Sequence, residues 1–201
     1  MIRILLAEDQ AMVRGAIGAL LELEDDLEVV AEVGRGDEVL QAARSSRADV
    51  ALLDIEMPGM DGLDAAAVLH RELPGCVVLI LTTFGRPGFL RRAMQAGAAG
   101  FLVKDKPAGE LAAAIRRALA GDRVIDASLA AAALTEGPNP LSSRERELLG
   151  AAADGSTVAD IAGQLVLSEG TVRNYLSAAI RKIGARNRVE AVHTAREKGW
   201  L

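Results

Sequence analysis

Polar residues that could perform chemistry follow short apolar segments of this sequence. The apolar residues 50–53 lead into Asp54, and the turn residues Met57, Pro58 and Gly59 come soon after it. An uninterrupted apolar run of this length is typical of a central strand that is buried on both faces. A lone Asp before Pro-Gly would more often be a turn residue or a helix cap. Four more polar residues lie at the carboxyl ends of other predicted strands: Glu8, Asp9, Thr82 and Lys104.

These residue types suit phosphoryl chemistry at a metal site. Three carboxylates in one place repel one another unless a cation lies there or they take up protons. A small number of hard oxygen ligands favours Mg²⁺, which keeps several of its waters. A carboxylate such as Asp54 can act as a nucleophile and form an aspartyl phosphate. The Lys104 ammonium and the Thr82 hydroxyl could then contact the phosphoryl oxygens.

The elements that must position these residues alternate between strand and helix. Five predicted strands are each followed by a helix, which predicts a parallel, doubly wound sheet with right-handed crossovers. In a flavodoxin-like strand order the carboxyl ends of the strands meet at one crevice. We predict strands at residues 2–7, 27–33, 50–54, 77–83 and 101–105, and helices at residues 10–23, 34–46, 61–73, 87–97 and 107–120.

Charge divides the chain into two parts. Residues 1–139 hold 14 Lys and Arg against 21 Asp and Glu, whereas residues 140–201 hold 9 against 7. This asymmetry favours two domains with different partners. Prolines at 138 and 140 follow an Ala-rich helical pattern at residues 126–134 and cannot continue it. We therefore predict a first domain at residues 1–120, a partly helical linker at 121–139 and a second domain at 140–201.

The composition gives no sign of secretion or of a membrane span. The longest apolar run, residues 76–84, is too short to cross a bilayer. The short apolar N-terminus ends in two acids, unlike a signal peptide. A single Cys76 excludes a disulfide framework. We expect a soluble protein of the cytoplasm, without membrane contact.

The second domain shows the pattern of a helix-turn-helix. Capping residues at Ser142, Thr157, Ser168 and Asn187 predict the starts of four helices. A short helix, a three-residue turn and a longer helix with a basic, polar face are typical of a helix-turn-helix that binds DNA. Residues 168–188 hold five Arg and Lys against one Glu. By charge alone, a solvated helix face in a small bundle would be the favoured explanation of this segment.

Together with the Met-Pro-Gly turn, the five polar residues of the first domain resemble the site of a bacterial response-regulator receiver domain. The resemblance covers residues 1 to about 120. The family implies that a sensor histidine kinase donates a phosphoryl group to Asp54. It also implies that Mg²⁺ is held by Asp9, Asp54 and the backbone carbonyl of Glu56, with Glu8 assisting.

The same resemblance implies a two-state switch built from Thr82 and Phe101. A phosphoryl group on Asp54 adds negative charge and acceptor oxygens, toward which the Thr82 hydroxyl would move. Phe101 would fill the space that Thr82 leaves, and this would change a surface made by the fourth helix, the fifth strand and the fifth helix. Many relatives have Tyr in place of Phe101. Since Phe lacks the hydroxyl, its inward state depends on packing alone.

The second domain resembles the LuxR-type helix-turn-helix of NarL/FixJ-class response regulators over about residues 140–201. The resemblance rests on residues 141–149, on Ile161-Ala162 and on residues 168–173. Arg and Asn side chains can read guanine and adenine edges, and basic side chains can hold phosphates. The predicted base-reading residues are Arg173, Asn174 and Ser177, and the other predicted DNA contacts are Thr171, Arg181 and Lys182.

Small residues line one side of the predicted first helix. Ala11, Gly15 and Gly18 share this side with Glu22. Each Gly inside a helix costs about 1 kcal/mol relative to Ala. Tight packing within the domain would explain the pattern. A close contact between two copies of the chain, through the first and fifth helices, would explain it as well.

We expect a response regulator, in a (βα)5 receiver joined to a four-helix DNA-binding domain. When phosphorylated it would form a homodimer and place two helix-turn-helix units on half-sites of double-stranded DNA, and RNA polymerase is a further candidate partner. It would catalyse only its own phosphorylation and dephosphorylation. Two alternatives stay open. One is a Mg²⁺-dependent phosphatase in which Glu56 is the general acid–base, and the other is a receiver that works without phosphate.

Overall fold

The structure is a computed structural model that describes the chain except for residues 84, 86, 106, 128, 132–138 and 154. The chain divides into two units. The first comprises Met1–Gly85 and Leu90–Ala131, and the second consists mainly of residues after 131. In the part of the chain that the structure describes, every helix is too short or too polar to span a lipid bilayer.

A six-stranded parallel sheet forms the centre of the first unit, in the order β2-β1-β3-β4-β5-β6. The chain winds outward in both directions from β1 and β3, so a crevice forms beside their carboxyl ends. All four residues of β3 are buried, as expected for an apolar strand with helices on both faces. The predicted doubly wound α/β fold is confirmed. The strands are β1 (Ile2–Ala7), β2 (Leu27–Val33), β3 (Val50–Leu53), β4 (Val77–Thr82), β5 (Gly100–Val103) and β6 (Val124–Ile125).

Five helices connect and cover these strands. The predicted helix at residues 34–46 is shorter than expected, because a turn of 3-10 helix at Gly36–Glu38 precedes it. Apolar side chains of α1 and α5 pack on one face of the sheet, around Ile17, Leu52 and Ile115. The helices are α1 (Ala11–Leu21), α2 (Val39–Ser46), α3 (Gly62–Glu72), α4 (Pro87–Gln95) and α5 (Ala108–Leu119).

The sheet has one strand more than the sequence predicted. Strand β6 lies in the segment that we assigned to the linker, and it pairs in parallel with β5. Two residues are too few to show the alternation of apolar and polar residues that identifies a strand. Residues 127 and 129–131 are helical. The last part of the helix predicted at residues 126–134 lies outside the described residues.

A glycine allows the loop after β3 to close against the strand end. A Cβ on Gly62 would lie 1.8 Å from the carbonyl oxygen of Asp54, so only Gly fits this position. The Gly62 N–H donates to the carbonyl of Ile55 at 2.9 Å. Asp61 caps α3, because its side chain accepts from the Asp64 N–H at 2.7 Å. These contacts fix the loop that follows the predicted phosphate acceptor.

Four helices surround one apolar core in the second unit. All four predicted capping side chains accept a hydrogen bond from the backbone N–H three residues later. The core includes Leu148, Ile161, Val172, Leu176 and Ala191, each buried. The predicted all-α second unit is confirmed. Its helices are α6 (Ser143–Ala151), α7 (Val158–Leu165), α8 (Glu169–Ile183) and α9 (Arg188–Glu197).

The turn between α7 and α8 contains a residue in a strained conformation. Val166 has φ 54° and ψ 51°, in the left-handed region that β-branched residues rarely adopt. This conformation costs about 1–2 kcal/mol for a residue with a Cβ. Val166 is 90% exposed, so packing of its side chain contributes little stabilisation to offset that cost. The cap nevertheless ends α7 sharply, because the Val166 N–H donates back to Gly163.

Candidate functional site

Three carboxylates meet at the carboxyl ends of β1 and β3. Glu8 and Asp9 directly follow β1, and Asp54 directly follows β3. The Asp54 N–H donates to the carbonyl of Ala7 at 2.9 Å, which continues the ladder between the two strands. One carboxylate oxygen from each acid lies within 4.8 Å of the others. Glu8 and Asp54 are buried and Asp9 is exposed, so the cluster opens to solvent on the Asp9 side.

Lys104 supplies the opposite charge to this cluster. It directly follows β5, and its backbone N–H donates to the carbonyl of Thr82 at 2.8 Å. Its Nζ lies 2.9 Å from Asp54 Oδ1 and also contacts the carboxylate of Glu8. One ammonium group therefore contacts two of the three acids, and the cluster keeps an excess of negative charge.

Burial and pairing shift the protonation of this site in defined directions. Burial raises the pKa of Asp54, the nearby charge of Asp9 adds to that effect, and Lys104 opposes it. Burial alone would lower the pKa of Lys104, but hydrogen bonds to Glu8 and Asp54 outweigh it and raise the pKa. The lysine therefore stays protonated, and the ionised Asp54 carboxylate is held in a site that favours a positive partner.

The two predicted switch residues lie on neighbouring strands. Thr82 ends β4 and Phe101 lies in β5, where it pairs in register with Ile80. Both side chains are buried. Phe101 also borders a cavity of about 300 Å³, whose lining includes Leu111 on α5 and Val124 on β6. Phe101 therefore has its ring inside the unit. The switch role of the pair stays a prediction.

The loop after Asp54 holds the predicted carbonyl ligand. Glu56 lies two residues after Asp54, and its side chain is exposed. The loop is held by the Met57 N–H, which donates to Ile55 at 3.2 Å. The 3-10 turn before α2 holds it too, because the Gly36 N–H donates to Pro58 at 3.1 Å.

One polar residue beside the acids was not among the site residues that we predict from the sequence. Arg14 on α1 donates from Nη1 to the backbone carbonyl of Glu8 at 2.5 Å. A signal for it was present, because Arg14 is the single basic residue of the predicted first helix. Spacing alone did not show that the guanidinium turns back toward the start of that helix.

Helix α8 exposes the predicted base-reading residues. Arg173, Asn174, Ser177 and Arg181 are exposed, whereas the buried residues of the same helix, such as Val172, face the core. A helix with one apolar and one basic, polar face can pack on its own domain and present the other face to a DNA groove.

Two predicted DNA contacts have partners within the second unit. The Lys182 Nζ lies 2.7 Å from a carboxylate oxygen of Glu145, which is buried. The hydroxyl of Thr171 lies 2.8 Å from that of Ser168, at the N-terminal cap of α8. These two residues therefore also help to fix the position of α8 in its domain.

The raised pKa of Asp54 gives a testable dependence of stability on pH. The folded state binds this proton more tightly than the unfolded state, so this contribution to stability is present in acid and is lost as the pH rises through the folded pKa. Without divalent metal at neutral pH, we expect Asp54→Asn to stabilise the first unit, by roughly 1 kcal/mol. The gain should shrink as the pH falls toward the usual carboxyl range. Calorimetry in EDTA over a pH series measures it.

The control for this experiment is Asp25→Asn, which changes an exposed carboxylate of the same unit. Exposed substitutions of this kind change stability by less than about 0.5 kcal/mol. A loss of stability in Asp54→Asn, or a gain that does not depend on pH, would show that burial of the ionised Asp54 carboxylate does not destabilise the fold.

Comparison with known proteins agrees with this arrangement. Residues 4–116 match the family described as the response regulator receiver domain, and residues 139–195 match the luxR family of bacterial regulatory proteins. Over 201 residues the chain is 46% identical to the transcriptional regulatory protein DesR of Bacillus subtilis, with both chains fully covered. It is 48% identical over 203 residues to the uncharacterised transcriptional regulatory protein YvfU of the same organism, again with full coverage of both.

A solved structure extends this likeness to three dimensions. The crystal structure of the response regulator ChrA, from a heme-sensing two-component system, is 33% identical. It superposes with a TM-score of 0.59 over 100% of this chain and 98% of that one. The chain therefore belongs to the NarL/FixJ-class two-component response regulators, which join a receiver domain to a LuxR-type DNA-binding domain.

Proposed function

We propose that this response regulator accepts a phosphoryl group on Asp54 from a sensor histidine kinase, and that the modification promotes dimerisation and DNA binding. One observation carries the proposal. Three carboxylates lie within 4.8 Å of one another, and the Lys104 ammonium lies 2.9 Å from the Asp54 carboxylate. A structural ion pair would need one acid. The two additional acids suit a site that takes a cation and a phosphoryl group.

The donor set fits Mg²⁺. Hard carboxylate and carbonyl oxygens are the ligands that Mg²⁺ prefers, and it keeps waters where the protein offers few of them. Asp9 is exposed and can meet a hydrated ion, whereas Glu8 is buried and paired with Lys104. We assign Asp9, Asp54 and the Glu56 carbonyl as ligands, with Glu8 assisting. When bound, the ion offsets the negative charge of the phosphoryl oxygens.

The chain's own residues account for the transfer. A carboxylate oxygen of Asp54 attacks the phosphorus atom, and the bond from phosphorus to the leaving group of the donor breaks. Lys104 is already within contact of Asp54, so its ammonium can follow the phosphoryl oxygens without a large movement. The buried Thr82 hydroxyl at the end of β4 is the further donor to those oxygens.

The change then reaches a surface through β4 and β5. Thr82 moves toward the phosphoryl group, and the Phe101 ring follows it within the core. The cavity of about 300 Å³ beside Phe101 gives α5 and β5 room to change position. Such a step biases an existing two-state element rather than creating a new structure.

The first test is phosphorylation of the full chain. With Mg²⁺ and acetyl phosphate, we expect one phosphoryl group on Asp54, stable in acid and released by hydroxylamine. Asp54→Asn and addition of EDTA should each abolish it, whereas the matched change Asp25→Asn should keep it. Mass spectrometry of the intact chain and of its peptides gives the result. Absence of any label would contradict the proposal. Sustained turnover of a phosphate ester would favour the phosphatase alternative instead.

The exposed face of α1 is the proposed dimer contact, together with α5. Met12 is 88% exposed and Leu20 is 44% exposed. The helical spacing of Ile17, Leu20 and Leu21 predicts that all three face the core, and the exposure of Leu20 shows that this is wrong for Leu20. Gly15 also lies on the surface, with open space around a Cβ at that position. Gly18 differs, because it is buried and a Cβ there would lie 3.3 Å from the Glu32 carboxylate. Gly18 therefore serves packing within the unit.

Substitution of Gly15 tests this contact. We expect Gly15→Leu to abolish phosphorylation-dependent dimerisation, because a bulky side chain separates the two helices that Gly15 allows to approach. Sedimentation velocity with acetyl phosphate and Mg²⁺ measures the change. The control is Gly163→Leu, which adds the same side chain on another helix with open space. An unchanged sedimentation profile for Gly15→Leu would refute the α1 contact.

The exposed face of α8 is the proposed DNA reader. Arg173 forms an ion pair with Glu169 one turn earlier, at 2.5 Å. Exposed ion pairs of this kind contribute about 0–1 kcal/mol to stability. The Arg173 guanidinium can therefore leave Glu169 and bind DNA at little energetic cost. Arg173, Asn174 and Ser177 are the proposed base readers. Arg181, Lys182 and Thr171 hold the backbone or the position of the helix.

Loss of Arg173 should weaken specific binding more than non-specific binding. We expect Arg173→Ala to cost about 1–3 kcal/mol on DNA selected by the wild type from a random library, with relaxed preference at one position. The control is Arg144→Ala, an arginine of α6 that also pairs with a Glu of its own helix, at 2.5 Å. Equal losses for the two variants, in a binding titration at fixed salt, would argue against base reading.

The remaining assignments rest on the family. We assign residues 1–120 to the receiver, 121–139 to a linker whose β6 joins the receiver sheet, and 140–201 to the DNA-binding domain. RNA polymerase is a candidate partner, and the cytoplasm is the proposed location. The similarity to DesR suggests control of membrane-lipid desaturation, so promoter DNA of a lipid desaturase gene is the first target fragment to test.

A further inference from the structure

Glu8 is held at every polar atom of its backbone and side chain. Its N–H donates to the carbonyl of Val33 at 3.0 Å. Its carboxylate accepts from the Gln10 N–H at 3.1 Å and from Lys104. Its backbone carbonyl accepts from Arg14. Because the next residue is the exposed ligand Asp9, whatever fixes this peptide also fixes where the Asp9 side chain begins.

Arg14 is the side chain that joins three elements at this point. It lies on α1, reaches back to the carbonyl at the end of β1, and its Nε is 3.3 Å from the carboxylate of Glu32 on β2. Its side chain is 22% exposed, which is low for an arginine on a surface helix. Gly34 leaves the space for it, because a Cβ there would lie 3.3 Å from Arg14 Nη1.

We propose that Arg14 is a positioning residue for the metal site. It does not touch the ion or the phosphoryl group. It holds the Glu8–Asp9 peptide so that the Asp9 carboxylate faces Asp54. Arginine suits this role because its rigid fork of donors can hold a carbonyl and a carboxylate at once. The inference rests on the proposed function, since it concerns Mg²⁺ at the same acids.

Two effects of removing Arg14 would oppose each other. Loss of a cation near the acids would strengthen Mg²⁺ binding, and loss of the hold on Glu8 would weaken it. Glu32 already offsets the charge of the guanidinium at 3.3 Å. The positional effect should therefore dominate. Removal of residues that orient metal ligands typically costs about 10–100-fold in metal affinity.

The experiment is a calorimetric titration of the unphosphorylated full chain with Mg²⁺. We expect Arg14→Gln to bind about tenfold more weakly than the wild type. Arg14→Lys keeps a donor and the charge, and should recover a large part of the affinity. Glu32→Gln removes the carboxylate but keeps the hydrogen bond from Arg14 to Glu8, and should bind Mg²⁺ more tightly than Arg14→Gln does.

A second readout separates positioning from a loss of folding. With acetyl phosphate, saturating Mg²⁺ should restore the phosphorylation rate of Arg14→Gln, because only the Mg²⁺ midpoint moves. A lower maximal rate at an unchanged midpoint would overturn the inference, as would unchanged or tighter Mg²⁺ binding. If the wild type binds no Mg²⁺, both this inference and the proposed function fail. If the wild type binds Mg²⁺ and Arg14→Gln binds it with the same affinity, the inference about Arg14 fails and the proposed function stands.

Discussion

Crowding of negative charge at one edge of the sheet is the constraint on which the first unit depends. Three acids share a space that one lysine cannot neutralise. A folded chain tolerates such a cluster only if it binds a cation, takes up protons or gives up stability. The surroundings of the acids are accordingly fixed. Gly62 closes one loop against Asp54, and Arg14 holds the strand end at Glu8.

The parallel sheet explains why these residues meet although they are far apart in the chain. Strands β1, β3 and β5 all end at the same edge, so residues that directly follow them become neighbours. The helix-turn-helix uses a different principle, since the predicted base-reading residues share the exposed face of α8. The first site therefore depends on sheet topology and the second on helix periodicity.

Much of this could be predicted from the sequence, because both principles leave a pattern. Apolar runs that end in Asp54 or in Lys104 mark strand ends, and capping residues such as Ser142 mark helix starts. Features that leave no repeating pattern in the sequence could not be predicted. Strand β6 is too short to show alternation. The exposure of Leu20 depends on how α1 is rotated on the sheet, and the reach of Arg14 depends on its side-chain conformation.

The two outer strands of the sheet limit how copies of this protein can join. Strand β2 carries Glu28 and Glu32 along its length, and β6 has only two residues. Charged residues and short strands at the borders of a sheet discourage a neighbouring chain from adding its own strand there. Growth of the sheet from one molecule into the next is therefore disfavoured at both borders. A reversible pair assembled through helix surfaces can form without the hazard of fibre-like stacking.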